Sequence, residues 1–76
     1  MTLTILTPYD TQTYSTEAVF LPGAAGAFEV LRNHAPIIST LVEGEIRWRE
    51  GGEEKVFAIK GGAVMVKDNV ITVCAE

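Results

Sequence analysis

The sequence predicts an all-β fold, a flattened antiparallel β-sandwich or barrel of about ten short strands, and three observations carry that reading. Turn signals interrupt the chain at intervals of roughly 8 to 12 positions. The segments between them are rich in Val, Ile, Thr and Phe, and alternate between apolar and polar residues. No window carries an apolar stripe at helical spacing long enough for a stable helix.

Taken in order, the first segment closes at Thr7-Pro8-Tyr9-Asp10, a cluster of turn formers. Thr16 to Leu21 is β-branched and aromatic, which disfavours helix and suits a strand. Pro22-Gly23 and Gly26 cut the next stretch, and Ala27-Phe28-Glu29-Val30-Leu31 resumes a strand pattern before the turn at Asn33 to Pro36. Alternation is clearest after Gly44, in Ile46-Arg47-Trp48-Arg49-Glu50, where Ile46 and Trp48 share one face and Arg47 and Arg49 the other. Three late segments follow, Lys55 to Lys60, Ala63 to Lys67 and Val70 to Cys74. Each is joined to its predecessor by Gly51-Gly52, Gly61-Gly62 or Asp68-Asn69, so the expectation is a meander of antiparallel hairpins. Glycines and Asn69 supply the positive φ that tight hairpins require. A single sheet would leave an apolar face exposed, so two packed sheets are expected.

Composition narrows the function classes. A chain of 76 residues supports one small core. Six basic residues against ten acidic ones give a net charge of −4, with no cationic stripe, which argues against nucleic acid as a partner. Cys74 is the only cysteine, which excludes an internal disulfide and a thiolate-rich metal site and fits a reducing compartment. The start of the chain has neither a basic n-region nor a long apolar run, so export and direct membrane insertion are not expected.

Catalytic patterns fail on inspection. Gly23-Ala24-Ala25-Gly26 lacks both the third glycine of a dinucleotide fingerprint and the Gly-Lys-Ser/Thr of a phosphate loop, and a strand pattern follows it. His34 is the only histidine, and neither Ser15 nor Ser39 has the glycine context of an activated nucleophile. Two readings of His34 stand, a turn histidine bonded to backbone beside Pro36 and a surface recognition residue. The acid pairs Glu43/Glu45 and Glu53-Glu54 flank glycine turns and read as solvated charge. Arg47 and Arg49 are expected to pair across the strands with the Glu53 to Lys55 segment. Cys74 reads as a small core residue, and Trp48 as core rather than interface anchor because Ile46 shares its face. No catalytic residue, metal ligand or cofactor is expected. With an interior filled by its own side chains, so small a sandwich must carry its function on the surface.

At Leu21-Pro22-Gly23-Ala24-Ala25-Gly26-Ala27-Phe28-Glu29-Val30-Leu31-Arg32-Asn33-His34-Ala35-Pro36 the sequence resembles the segment L-P-G-x-x-G, then alternating hydrophobic positions, then H-A-P, of the epsilon subunit of F-type rotary ATP synthases, called delta in mitochondria. The likeness extends to Leu3 to Pro8, Gly44-Glu45-Ile46-Arg47, Phe57 to Gly62 and Asn69 to Val73, and so covers essentially the whole chain. It implies a flattened ten-stranded sandwich that is not catalytic and docks, as a monomer in a hetero-oligomer, between the gamma subunit and the membrane ring of c subunits. Such a subunit helps couple ion-driven rotation to ATP synthesis from the cytoplasmic face of the bacterial inner membrane. The resemblance further implies ring contacts at Ala27, Glu29, Arg32, Asn33, His34 and Ala35, with Ser39 and Thr7 on the gamma-facing side.

The chain departs from the family pattern at three positions of the docking loop and in the expected absence of a C-terminal arm. Many relatives carry an acid where Ala27 stands, and Glu29 and Arg32 replace a commoner glycine and proline, so the charge pattern of the docking loop is rearranged. Bacterial relatives usually continue into a two-helix arm that inserts into the head, inhibits hydrolysis and in some members binds ATP. This chain ends at Cys74-Ala75-Glu76, so the expectation is a single domain over residues 1–76 that couples rotation without inhibition by such an arm. The competing expectation from another class is a free-standing sandwich adaptor that binds a partner through an exposed edge strand.

Overall fold

The computed structural model describes residues 1–76 and contains nine strands: β1 Thr2–Leu6, β2 Thr11–Ser15, β3 Val19–Leu21, β4 Phe28–Val30, β5 Ile37–Leu41, β6 Gly44–Glu50, β7 Glu53–Ile59, β8 Gly62–Lys67 and β9 Val70–Ala75. They form a five-stranded sheet in the order β2-β1-β9-β8-β5 and a four-stranded sheet in the order β4-β3-β6-β7. There is no helix of any length to cross a membrane.

Period-two alternation determines which side chains meet between the sheets. On β9 Ile71, Val73 and Ala75 point inward, on β6 Ile46 and Trp48, on β8 Val64 and Val66, and on β1 Leu3 and Ile5. With Val19, Leu21, Val30, Leu41 and Ile59 these make one cluster of 14 buried residues. Each fully buried Leu, Ile or Val contributes about 1.5–3 kcal/mol of transfer free energy. Trp48 belongs to this core, with 2% of its surface exposed, and its ring lies 4.7 Å from that of Tyr14 on β2.

Two connections are hairpins of the expected kind. Gly51-Gly52 joins β6 to β7, and Asp68-Asn69 joins β8 to β9. All four residues have positive φ, between 52° and 82°, the signature of turns whose twist matches the flanking strands. Asp68 shares this geometry with Asn69. The β1–β2 connection is held by the Thr7 hydroxyl, which accepts from the Tyr9 and Asp10 amides at 3.3 and 3.0 Å.

The meander expectation fails at Gly61-Gly62. Those glycines do not close a hairpin: β7 lies in the four-stranded sheet and β8 in the five-stranded one, so the chain changes sheets there. The reason is close backbone approach. Gly62 has φ 146°, and a Cβ on it would collide with the Cys74 carbonyl oxygen on β9, so the glycine serves the β8–β9 pairing and not a turn back onto β7. One pairing, β1 with β9, is parallel, which no hairpin signal encodes because the two strands are separated by most of the chain.

Cys74 is a correction. The alternation that buries Val73 and Ala75 turns Cys74 to the outer face of β9, where it is exposed beside Ala63 of β8 and Leu6 of β1.

Candidate functional site

The strand registers divide the loops between two ends of the sandwich. One end, called upper here, carries Met1, the turns Gly51-Gly52 and Asp68-Asn69, and the β4–β5 loop, residues 31–36. The lower end carries the β1–β2 turn, residues 22–27 and Gly61.

The residues singled out from sequence are spread over this frame. Arg32, Asn33, His34 and Ala35 stand together in the upper loop. Asn33 has φ 65°, a left-handed conformation that Asn tolerates, and it reverses the chain toward β5. The His34 amide donates to Leu31 O at 3.1 Å, and its Nδ1 lies 2.8 Å from Ala35 O, so this histidine is bonded to backbone within its turn. Glu29 projects from the outer face of edge strand β4, and Ala27 lies exposed before that strand at the lower end. Thr7 is also at the lower end, its hydroxyl occupied within its own turn. Ser39 has the inward parity of Ile37 and Leu41 on edge strand β5, and its hydroxyl donates to Thr40 O at 3.2 Å. The structure therefore groups four of the eight residues and sets Ala27 and Thr7 at the opposite end of a molecule with a longest extent of 26 Å.

Sequence reasoning missed the apolar surface next to the upper loop. Ile38 is 81% exposed and Met65, its register partner on β8, 50% exposed. With Pro36, Val66 and Lys67 they line a shallow groove of about 360 Å³ on the outer face of the five-stranded sheet. The row continues across that face through Thr72, Thr4 and Thr13, so uncharged side chains run from β5 to β2. The signal was available in Ile37-Ile38: a β-branched pair on one strand must present one member outward. A second groove, polar, is lined by Asn33, His34, Pro36, Asp68 and Asn69.

The outer face of the four-stranded sheet has a different character. Arg47 pairs with Glu45 at 3.0 Å and with Glu54 at 3.6 Å, the latter across to β7 as the alternation implied. Arg49 stands in register with Glu54 but makes no ion pair within 4 Å. These exposed pairs contribute little to stability.

Edge accessibility bears on the adaptor reading. The lower half of the β5 edge is already covered, since Ala24 N donates to Thr40 O at 2.9 Å and Val42 N to Pro22 O at 2.9 Å. Outward-facing backbone groups alternate along an antiparallel edge, so Ile38 is the next to face away from β8, and Pro36 beyond it has no N–H. A partner strand would find room for few hydrogen bonds there. On β7, Glu53, Glu54 and Lys55 place charge along the edge, a common defence against strand addition.

Sequence comparison adds an independent finding. The family described as ATP synthase, Delta/Epsilon chain, beta-sandwich domain matches residues 1–76. The ATP synthase epsilon chain of Symbiobacterium thermophilum is 40% identical over 78 residues, covering 100% of this chain and 56% of that protein. The epsilon chain of Caulobacter vibrioides is 45% identical over 60 residues, covering 79% of this chain and 70% of that protein. The chain spans about half the length of the first curated relatives it matches. Among solved structures, a chain in the cryo-EM structure of the Euglena gracilis mitochondrial ATP synthase, OSCP/F1/c-ring, superimposes with a TM-score of 0.88 at 23% identity, covering 96% of this chain and 48% of that one. A chain in the Tetrahymena thermophila mitochondrial ATP synthase central stalk and c-ring structure gives a TM-score of 0.82 at 18% identity, over 99% of this chain and 62% of that one. At these identities the likeness concerns the fold.

Proposed function

Since the chain belongs to the delta/epsilon family of ATP synthase subunits through its β-sandwich domain, we propose that it is a non-catalytic part of the central stalk, fastening the gamma subunit to the c ring so that ion-driven rotation is coupled to ATP synthesis. In this reading it is one copy in a hetero-oligomer, peripheral to the membrane on the cytoplasmic face of the bacterial inner membrane. The single observation that carries a docking role is the exposed apolar pair Ile38 and Met65 on an uncharged sheet face, adjoining the polar loop that holds Arg32 and His34. Apolar surface rimmed by polar residues marks protein contact. We assign the β4 edge and upper loop, with Ala27, Glu29, Arg32, Asn33, His34 and Ala35, to the polar loops of the ring. The outer face of the five-stranded sheet is assigned to gamma, together with Ser39 on the β5 edge and Thr7 in the lower turn.

Rigid transmission suits this architecture. A close-packed core of 14 buried residues has low compressibility, which suits a part that carries load between two faces. The test uses wild type and the double variant Arg32→Ala/His34→Ala in binding to reconstituted gamma and c ring. Wild type should bind, and the double variant should bind about tenfold more weakly or worse, the equivalent of one lost charged contact. Its thermal unfolding should stay within a few degrees of wild type, because Arg32 is exposed and neither residue is in the core. Equal affinity of the two proteins would remove the loop from the interface.

A further inference from the structure

Apart from its chain connections to β4 and β5, the β4–β5 loop, residues 31–36, is hydrogen-bonded to the rest of the sandwich through one residue, Asn69. Two of its hydrogen bonds are internal: His34 N to Leu31 O at 3.1 Å, and the His34 Nδ1 contact with Ala35 O at 2.8 Å. Such bonds shape the loop without tying it to either sheet. The other two form a reciprocal pair across 36 positions of sequence. Asn33 N donates to Asn69 Oδ1 at 2.6 Å, and Asn69 Nδ2 donates to Asn33 Oδ1 at 3.2 Å. Asn69 is itself held firmly. It occupies the β8–β9 turn with φ 62°, and its carbonyl accepts from Thr2 N at 3.0 Å, which ties the turn to β1.

From this arrangement we infer that Asn69 is a positioning residue for the docking loop: its side-chain amide clamps Asn33 and thereby holds Arg32 and His34 in the orientation in which they meet the rotor partner. The inference rests on the rotor reading above and assigns to the β8–β9 turn a role beyond closing a hairpin. The physical reason is entropic. A loop crossing between two sheets samples many orientations unless a long-range contact selects one, and a partner that binds only the selected one must otherwise supply the ordering free energy itself. A reciprocal amide pair suits this task because it fixes both distance and rotation. An equally placed Asp would keep the acceptor for Asn33 N while losing the donor to Asn33 Oδ1.

Three single variants of the full chain and one double variant separate clamp from turn. Asn69→Gly deletes the amide yet tolerates φ 62°, so the hairpin survives. Asn33→Gly does the same from the other side at φ 65°. Asn69→Asp keeps half of the pair. Amide hydrogen exchange on the isolated chain should show the Asn33 amide losing protection in Asn69→Gly and retaining it in Asn69→Asp, with amides of β8 and β9 unchanged. Binding to gamma and c ring should weaken about three- to tenfold in Asn69→Gly and Asn33→Gly, the fold-change of a lost hydrogen bond, and least in Asn69→Asp. The double glycine variant should lose no more than Asn33→Gly alone, since removing the Asn33 side chain already breaks the clamp. Unchanged Asn33 protection in Asn69→Gly, or wild-type affinity of that variant, would overturn the clamp. Failure of wild type itself to bind gamma and c ring would instead overturn the rotor reading.

Discussion

Trp48 shows how competing effects are settled at a single residue. Its ring is 2% exposed and packs at a 35° tilt against Tyr14, but its Nε1 finds no hydrogen-bond partner among the protein's own atoms. An unsatisfied buried donor costs about 1–3 kcal/mol. Burying an indole of 150–250 Å² contributes about 4–6 kcal/mol, so burial wins. Two variants follow from this balance. Trp48→Ala should lose about 3–5 kcal/mol of stability by cavity formation, whereas Trp48→Phe, which also removes the unpaired N–H, should lose less than half as much. Urea denaturation of the two proteins checks this, and equal losses would mean that the ring does not anchor the core. Alternation with Ile46 made Trp48 legible from sequence. The same rule applied to Ile71 and Val73 would have turned Cys74 outward; a general preference of cysteine for burial misled where local periodicity decided.

Between elements, glycine has two different uses that look alike in sequence. Gly51-Gly52 closes a hairpin with φ of 59° and 82°, whereas Gly61-Gly62 lets β8 approach β9 after the chain has crossed between sheets. Gly62→Ala should therefore destabilise by about 2 kcal/mol or more, because the new methyl meets the Cys74 carbonyl and φ 146° is strained for an L-residue. Gly51→Ala, where open space surrounds the site, should cost only the backbone strain, about 1–2 kcal/mol. Thermal denaturation that ranks Gly51→Ala as the more damaging would contradict the close-approach account. The hairpins β6–β7 and β8–β9 were readable because their turns are local, and the sheet change at Gly61 was not, because it depends on which sheet offers β8 a partner.

The molecule as a whole presents two unlike outer faces. On the four-stranded sheet, Glu45, Arg47 and Glu54 form an ion-pair network, while the five-stranded sheet carries threonines and the exposed pair Ile38 and Met65. A small domain that fills its own interior has only such surface with which to recognise another protein. Ile38→Asp should thus leave the unfolding midpoint near that of wild type, since the side chain is 81% exposed. On the proposed stalk role, it should weaken association with gamma by tenfold or more, as expected for an apolar anchor replaced by a charge that must be desolvated. Sedimentation of the mixed subunits reads this directly, and undiminished co-sedimentation would exclude the sheet face as the contact.

By itself the sequence determined the all-β class, the period-two core, the tight hairpins and the family, because each rests on local spacing or on motifs a few residues long. Tertiary structure alone decided that β1 lies parallel to β9, that the chain changes sheets at Gly61, and that Asn33 meets Asn69. Those contacts join residues far apart in the chain, and only the packing of two sheets around one core brings them together.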